Sequence, residues 1–348
     1  MRDLSDFMKT MNKKYGAGSL VQLGSKPTRD YGVNVIPTGS LKLDMATGVG
    51  GYPMGRIIEL IGNPMSGKTT LALHAVAQAQ RADMDALYID AEHALDVFYA
   101  DSIGVDTQKM VLNQPDYGEQ ALQIVEEAAR SGQFGIIVVD SVASLVPKRE
   151  LDGEIGDAQV GLLARMMSQF CRKLGAVIHK QNVVMIFINQ FRANISTTGY
   201  GGPAKVPTGG KALDYYASMI LDIAKIQSLK TGSESVGNRT KVTIKKNKVA
   251  APYTEAEFDI VYGIGVDRIG ELVELGEEFG YIQKAGSWYK DENGDSLVQG
   301  KIKMIQYIEE YDEYRENLKN RVAERISTRF ANQSVGDEEA VAGAEGGI

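Results

Sequence analysis

Apolar residues along the chain follow two alternating rhythms. Segments at 56–61, 86–90, 135–140, 183–189, 218–223, 241–245 and 257–262 are strand candidates, the earlier ones nearly continuous apolar runs. Longer segments at 69–82, 118–131 and 158–180 carry apolar residues at helical spacing. Strands apolar on both faces and separated by helices predict a mostly parallel sheet covered on both sides. The last strands follow one another without helices, so that edge is expected to be antiparallel.

The ends of the chain break this rhythm. Leu4, Phe7, Met8, Met11 and Tyr15 form one helical stripe, followed by Gly16-Ala17-Gly18 and a strand-like run at 19–23, which together read as an arm. Such a helix needs an apolar partner, and its own domain or a neighbouring copy serves equally well. After Gly265, helical segments at 271–279 and 301–329 enclose the strand candidates Tyr281-Ile282 and Ser287-Trp288-Tyr289, a small α+β domain. Residues 331–348 are small, polar and acidic with no basic residue, and predict a disordered tail. The division expected is therefore 1–30, 31–265, 266–330 and 331–348.

Composition narrows the class. At 348 residues with 43% hydrophobic and 24% charged positions the chain is globular, which excludes a fibrous or disordered protein. Its longest apolar run, 183–188, falls well below the ~18 residues of a membrane span, so no membrane role is expected. A single cysteine, Cys171, and no leader pattern at Met1-Arg2-Asp3-Leu4 point to a reducing, cytoplasmic compartment. The net charge of -7, taken alone, argues against nucleic acid. Glycine, at 38 residues, exceeds the usual ~7% and concentrates in short loops, as where backbone approaches a ligand.

The strongest chemical signal is Gly62-Asn63-Pro64-Met65-Ser66-Gly67-Lys68-Thr69, which fits the phosphate-binding loop G-x-x-x-x-G-K-[ST] with a strand before it and an alanine-rich helix after it. Backbone N–H groups of such a loop cradle phosphates, Lys68 reaches the β and γ oxygens, and the Thr69 hydroxyl ligates Mg²⁺. A second strand ends in Asp140, the acid needed to hold the magnesium shell. Glu92, just past the 86–90 strand, is the candidate base for activating water, with Asp90 and His93 as competitors. Gln190, at a third strand end, is placed to distinguish ATP from ADP.

Other features suit a polyanion. Arg165, Ser168 and Arg172 recur at helical spacing as a polar stripe, which a merely solvated helix face would also produce. Two loops flank this helix, at 150–161 and 191–211. The second, longer than ~15 residues and rich in glycine, starts directly after Gln190, so nucleotide state can order or release it. Lys225, Lys230, Arg239, Lys241, Lys245, Lys246 and Lys248 oppose only Glu234. The Lys246-Asn247-Lys248 cluster serves either DNA or, like an arginine finger, the nucleotide of a neighbouring subunit.

These motifs, with Ala91-Glu92-His93-Ala94-Leu95-Asp96, Val138-Val139-Asp140-Ser141-Val142-Ala143, Gly153-Glu154-Ile155-Gly156-Asp157, Phe187-Ile188-Asn189-Gln190 and Lys246-Asn247-Lys248-Val249-Ala250-Ala251-Pro252, resemble bacterial RecA recombinases in order over 1–330. The resemblance implies an α/β P-loop NTPase core and an ATP- and Mg²⁺-dependent helical filament on single-stranded DNA. That filament pairs with homologous duplex and exchanges strands with DNA-stimulated hydrolysis. It makes Glu92 the catalytic carboxylate and Gln190 the γ-phosphate sensor, extends the phosphate loop to Thr70, and places Asp96, Tyr99 and Tyr262 near adenine. Lys246 and Lys248 are expected at the adjacent protomer's ATP, and the arm on that neighbour. Val160, Arg165, Ser168, Arg172, Arg192, Ile195, Gly209, Gly210 and Lys211 are expected at DNA, with Ile195 a wedge between bases.

The chain departs from the common pattern at Met65 in the phosphate loop, in the residues of the second DNA loop, and at Asp214 and Ile220. Relatives of this kind also stimulate SOS repressor self-cleavage and work with loading or regulatory proteins, which these residues leave open. So do two other readings of the same ATPase core, a ring-forming motor and a nucleotide-gated scaffold. By region, 1–265 carries a net charge of +1, while 266–330 and 331–348 each carry -4. The acidity lies outside the core, where it can compete with DNA for the site.

Overall fold

A computed structural model describes residues 4–22, 33–154, 161–194 and 204–344. They fall into two compact units, Met1–Asn34 and Val35–Ile348. In the first, α1 (Leu4–Tyr15) buries none of its residues, and Leu4 and Phe7 are exposed. The expected strand at 19–23 does not form over its described residues. Asn12 takes the place of a partner strand, its Nδ2 donating to Leu20 O at 2.9 Å and its Oδ1 accepting from Leu20 N at 2.8 Å.

The second unit opens with β1 (Val35–Ile36), α2 (Leu41–Thr47) and β2 (Tyr52–Pro53), the two strands paired with each other. It continues through β3 (Ile57–Gly62), α3 (Lys68–Arg81), β4 (Asp85–Asp90), α4 (Val97–Ile103), β5 (Val111–Asn113), α5 (Gly118–Ser131) and β6 (Phe134–Asp140). After α6 (Lys148–Leu151) and α7 (Leu162–Gln181) come β7 (Val184–Asn194), β8 (Ala204–Pro207) and α8 (Ala212–Tyr216). The antiparallel edge is β9 (Met219–Thr231), β10 (Glu234–Asn247), β11 (Glu255–Val261) and β12 (Gly265–Val266).

The strand order is β12-β11-β10-β9-β3-β7-β6-β4-β5, parallel from β9 to β5. Alternation along each strand divides the core. Leu60, Tyr88, Val138 and Ile186 pack with α3 on one face, while Ile61, Leu87, Val139 and Phe187 pack with α5 and α7 on the other. Each buried aliphatic or Phe side chain contributes about 1.5–3 kcal/mol. The phosphate loop leaves β3 between β7 and β9, at the carboxyl edge where open α/β sheets bind ligands.

Two expectations about the 150–161 and 191–211 loops need correction. Glu150 and Leu151 belong to the short α6, and the expected helix from 158 begins at Leu162; residues 155–160 lie outside the described residues. The second loop is partly a ribbon, with β7 running on to Asn194 and pairing antiparallel with β8 from Phe191↔Pro207 to Asn194↔Ala204.

The last part of the chain gathers α9 (Arg268–Glu278), β13 (Ile282–Ala285), β14 (Trp288–Asp291), β15 (Ser296–Gln299), α10 (Lys301–Glu310) and α11 (Asp312–Ala344) around Leu272, Leu275, Tyr289, Met304, Ile308 and Val322. The single helix expected over 301–329 breaks at Tyr311, because Met304 and Ile308 must face the same cluster as Leu318, Val322 and Ile326. The segment expected as a disordered tail is instead helical to Ala344, in keeping with its lack of proline and its Ala and Glu content.

Candidate nucleotide site and the ribbon that leaves it

The phosphate loop is shaped by close approach. A Cβ on Gly62 would stand 2.2 Å from Ile223 O, and Gly67, at φ 101, enters α3 in the left-handed region with Ile260 where a side chain would go. The loop therefore presents backbone to the pocket. Lys68 is buried and bends back on its own loop, its Nζ donating to Asn63 O at 2.7 Å and Gly62 O at 3.2 Å. Burial lowers its ammonium pKa, against the pull of Asp140 and Glu92. Ser66 is buried, with an Oγ that has no hydrogen-bond partner among the described residues. Met65 stands at the rim, 84% exposed and at φ 59.

Across the loop, Asp140 ends β6 with Oδ2 accepting from Thr69 Oγ1 and from the buried Tyr88 hydroxyl, both at 2.8 Å. Burial raises its carboxyl above the usual range, partly offset by those two donors. Glu92 Oε1 accepts from Ser141 Oγ at 2.5 Å and from Gln190 Nε2 at 3.1 Å. The competitors for its role are placed differently. Asp90 accepts from Ala94 N, Leu95 N and Gln114 Nε2, so it folds the loop that carries Glu92, while His93 is exposed at φ 54.

On the other side of the loop lies a pocket of ≈ 340 Å³ lined by Met65, Thr70, Tyr99, Asn238, Ile260 and Tyr262 among others. Thr70 Oγ1 and Tyr99 Oη are 2.9 Å apart, and Tyr262 Oη donates to Asn238 Oδ1 at 3.1 Å. Asp96 does not line this pocket. It caps α4, accepting from Tyr99 N, and so positions the tyrosine that does line it.

Of the residues expected at DNA, Arg165, Ser168 and Arg172 form an exposed stripe on α7, Arg192 is exposed on the ribbon, and Lys211 is exposed at the start of α8. Gly209 packs against Val142 and Gly210 against Ala164, tying the end of the ribbon to the turn that follows β6 and to α7. Val160 and Ile195 lie outside the described residues. The basic run is not one open patch. Arg239 pairs with Asp259 and Glu274, Lys241 with Glu255 and Lys245 with Asp222, while Lys225 and Lys230 are exposed. Lys246 Nζ donates to Asp214 O and Tyr215 O, and Lys248 Nζ to Tyr215 O, so both lysines lie on the carboxyl end of α8.

Sequence reasoning passed over Tyr88, Ser141, Asn238 and the pair Glu59 and Asn189. One signal is in the sequence: Glu59 is the lone acid of the 56–61 segment, and Asn189 ends the apolar run 183–188.

The chain is similar to known proteins over nearly its full length. Residues 2–267 match the RecA N-terminal domain and residues 270–327 the RecA C-terminal domain. Protein RecA of Bifidobacterium breve is 50% identical over 335 residues, covering 96% of this chain and 84% of the relative. Protein RecA of Oleidesulfovibrio alaskensis is 47% identical over 336 residues, covering 97% and 95%. The crystal structure of the RadB recombinase, at 23% identity and TM-score 0.50 over 67% of this chain and 98% of that one, shares the fold. With both domains matched in order and such relatives spanning nearly its full length, the chain belongs to the RecA family of DNA-dependent ATPases, and its work is strand exchange in DNA recombination and repair.

Proposed function

We propose that this chain forms an ATP-gated helical filament on single-stranded DNA, and that Gln190 couples the DNA-contacting ribbon to hydrolysis at Glu92. The observation that carries this is the 3.1 Å contact between Gln190 Nε2 and Glu92 Oε1, made by the residue at which β7 passes into the ribbon.

The residues fit a magnesium nucleotide. A buried Ser66 hydroxyl without a partner, a glycine cradle and a lysine held only by loop carbonyls are donors suited to phosphate. Thr69 and Asp140 would hold Mg²⁺, which when bound offsets phosphate charge. Lys68 exchanges two carbonyl acceptors for phosphate oxygens, a charge-assisted gain. When Gln190 turns from Glu92 toward the phosphate side, Glu92 loses one of its two donors and is free to accept a proton from the attacking water. Tyr99 and Tyr262 offer the base an aromatic and apolar pocket.

On the DNA side, Arg165, Ser168, Arg172, Arg192 and Lys211 supply phosphate contacts, with Val160, Ile195, Gly209 and Gly210 completing the loops. Lys246 and Lys248 leave the α8 carbonyls for the nucleotide of the next protomer, on which the Met1–Asn34 unit docks. This reading places the protein in the cytoplasm and includes stimulation of SOS repressor self-cleavage by the filament. Purified protein should hydrolyse ATP faster when single-stranded DNA is added, and DNA affinity should fall with salt at about -0.7 per phosphate neutralised. Turnover indifferent to DNA would refute the coupling.

A further inference from the structure

One buried acid has no part in the chemistry above. Glu59 lies in the middle of β3, fully buried on the face that packs against α7 and α8, among Ile57, Ile61, Phe187 and Ile220. Its Oε1 accepts from Asn189 Nδ2 at 2.7 Å, and its Oε2 has no hydrogen-bond partner among the described residues. A carboxyl group with an unpartnered oxygen is a costly occupant of an apolar core, where a leucine would pack without penalty.

The position of its partner suggests what the acid does. Asn189 is also fully buried, and each of its side-chain polar atoms is engaged. Nδ2 donates to Glu59 Oε1 and, at 3.0 Å, to Thr208 O, while Oδ1 accepts from Gln190 N at 2.8 Å. Glu59 Oε1 and Thr208 O are the two acceptors that face Nδ2 and hold this orientation, Glu59 at the shorter distance; turned over, the amide would point its oxygen at both of them and its NH₂ at the Gln190 N–H. Thr208 closes the arrangement from the ribbon side, donating from both N and Oγ1 to Gln190 O at 3.1 Å. Burial raises the Glu59 carboxyl to about 7, with the Asn189 bond and Lys246 lowering it and Asp214 raising it. In either protonation state Oε1 remains an acceptor for Asn189.

We propose that Glu59 is a positioning residue for hydrolysis, acting through Asn189 to fix the backbone of Gln190 and thereby the reach of its amide to Glu92. This rests on the role given to Gln190 above. It also assigns a function to the sequence Asn189-Gln190 as a unit: the first residue is oriented by the strand that launches the phosphate loop, and the second reads the site that loop forms.

The test compares Glu59→Leu with Glu59→Gln, which keeps an acceptor for Asn189. We expect Glu59→Leu to lower DNA-stimulated kcat on the order of 10-fold, with the KM for ATP changed less than about twofold, and Glu59→Gln to restore kcat to within about twofold. In a Gln190→Ala background Glu59→Leu should cause no further loss. In nucleotide-free protein, hydrogen exchange at the Gln190 amide should quicken in Glu59→Leu and not in Glu59→Gln. If Glu59→Leu does not fold, Asn189→Ala breaks the same link and should give the same kcat loss, the same absence of further loss with Gln190→Ala, and the same exchange. Wild-type kcat in the folded variant, or losses that multiply with Gln190→Ala, overturn the proposal. Should Gln190→Ala alone leave DNA stimulation intact, the coupling role of Gln190 fails, and with it the consequence for hydrolysis. The exchange measurement then still decides whether Glu59 fixes the Gln190 backbone.

Discussion

Two groups of acids in this molecule are built from the same residue types and are held in opposite ways. At the strand ends, Asp140 and Glu92 are met by neutral donors, the Tyr88, Thr69 and Ser141 hydroxyls and the Gln190 amide. Where α9 meets α2 and β10, Glu274 is met by three cations, Lys42, Arg239 and Lys301. Neutral donors can be exchanged for a ligand at little cost, whereas an acid enclosed by fixed cations is committed to its neighbours. The first arrangement suits a site that must change partners during turnover, and the second a joint that must not.

Substitutions should separate the two groups cleanly. Lys68→Ala should abolish hydrolysis, a loss of at least about 100-fold in phosphate release, because no other side chain replaces the cation in the loop. Glu92→Gln should lower kcat by roughly 100-fold while nucleotide affinity is retained, as measured by turnover and by equilibrium binding. The amide oxygen still accepts from Ser141 and Gln190, so near-normal turnover in that variant would mean Glu92 only organises its neighbours. At the joint, Glu274→Ala should leave ATP turnover intact and cost about 1–3 kcal/mol in urea unfolding, the part-exposed setting discounting the full value of a buried pair.

The same joint carries a pH signature of two signs. Burial alone would raise the Glu274 carboxyl, but its bonds from Arg239, Lys301 and Lys42 hold it at about 2. Its stabilisation is present above the unfolded value near 4.5 and is lost as pH falls toward 2. Burial raises Glu271 to about 8, against the bonds from Ser40 and Leu41 N. Its contribution is present below about 4.5 and is lost as pH rises through 8. Glu271→Gln should therefore flatten the decline in unfolding free energy between pH 5 and 8; an unchanged slope would show that Glu271 stays ionised in the folded protein. The smallest effect expected is from removing residues 331–348, which should strengthen duplex binding at low salt by lifting their charge of -4.

Much of this was readable along the chain, for physical reasons that also mark the limits. The parallel strands are legible because both their faces are buried, so 86–89 and 136–139 run without a charged residue up to the acids that end them. The phosphate loop is legible because its chemistry needs fixed residues at fixed spacing. The outer halves of β9 and β10 were missed because, past the core, the hairpin is polar, and Lys225, Lys230 and Arg239 along it read as a basic run. The partners inside the site were missed because they meet across long separations, 52 residues for Tyr88 and Asp140 and 130 for Glu59 and Asn189, which no local pattern records.

The central claim is that the ribbon leaving β7 reports DNA to Glu92 through Gln190. The direct test is phosphate release by wild-type protein and by Gln190→Ala, each with and without single-stranded DNA. The account predicts that DNA accelerates the wild type and leaves the variant's rate unmoved. Full DNA stimulation in Gln190→Ala would contradict it.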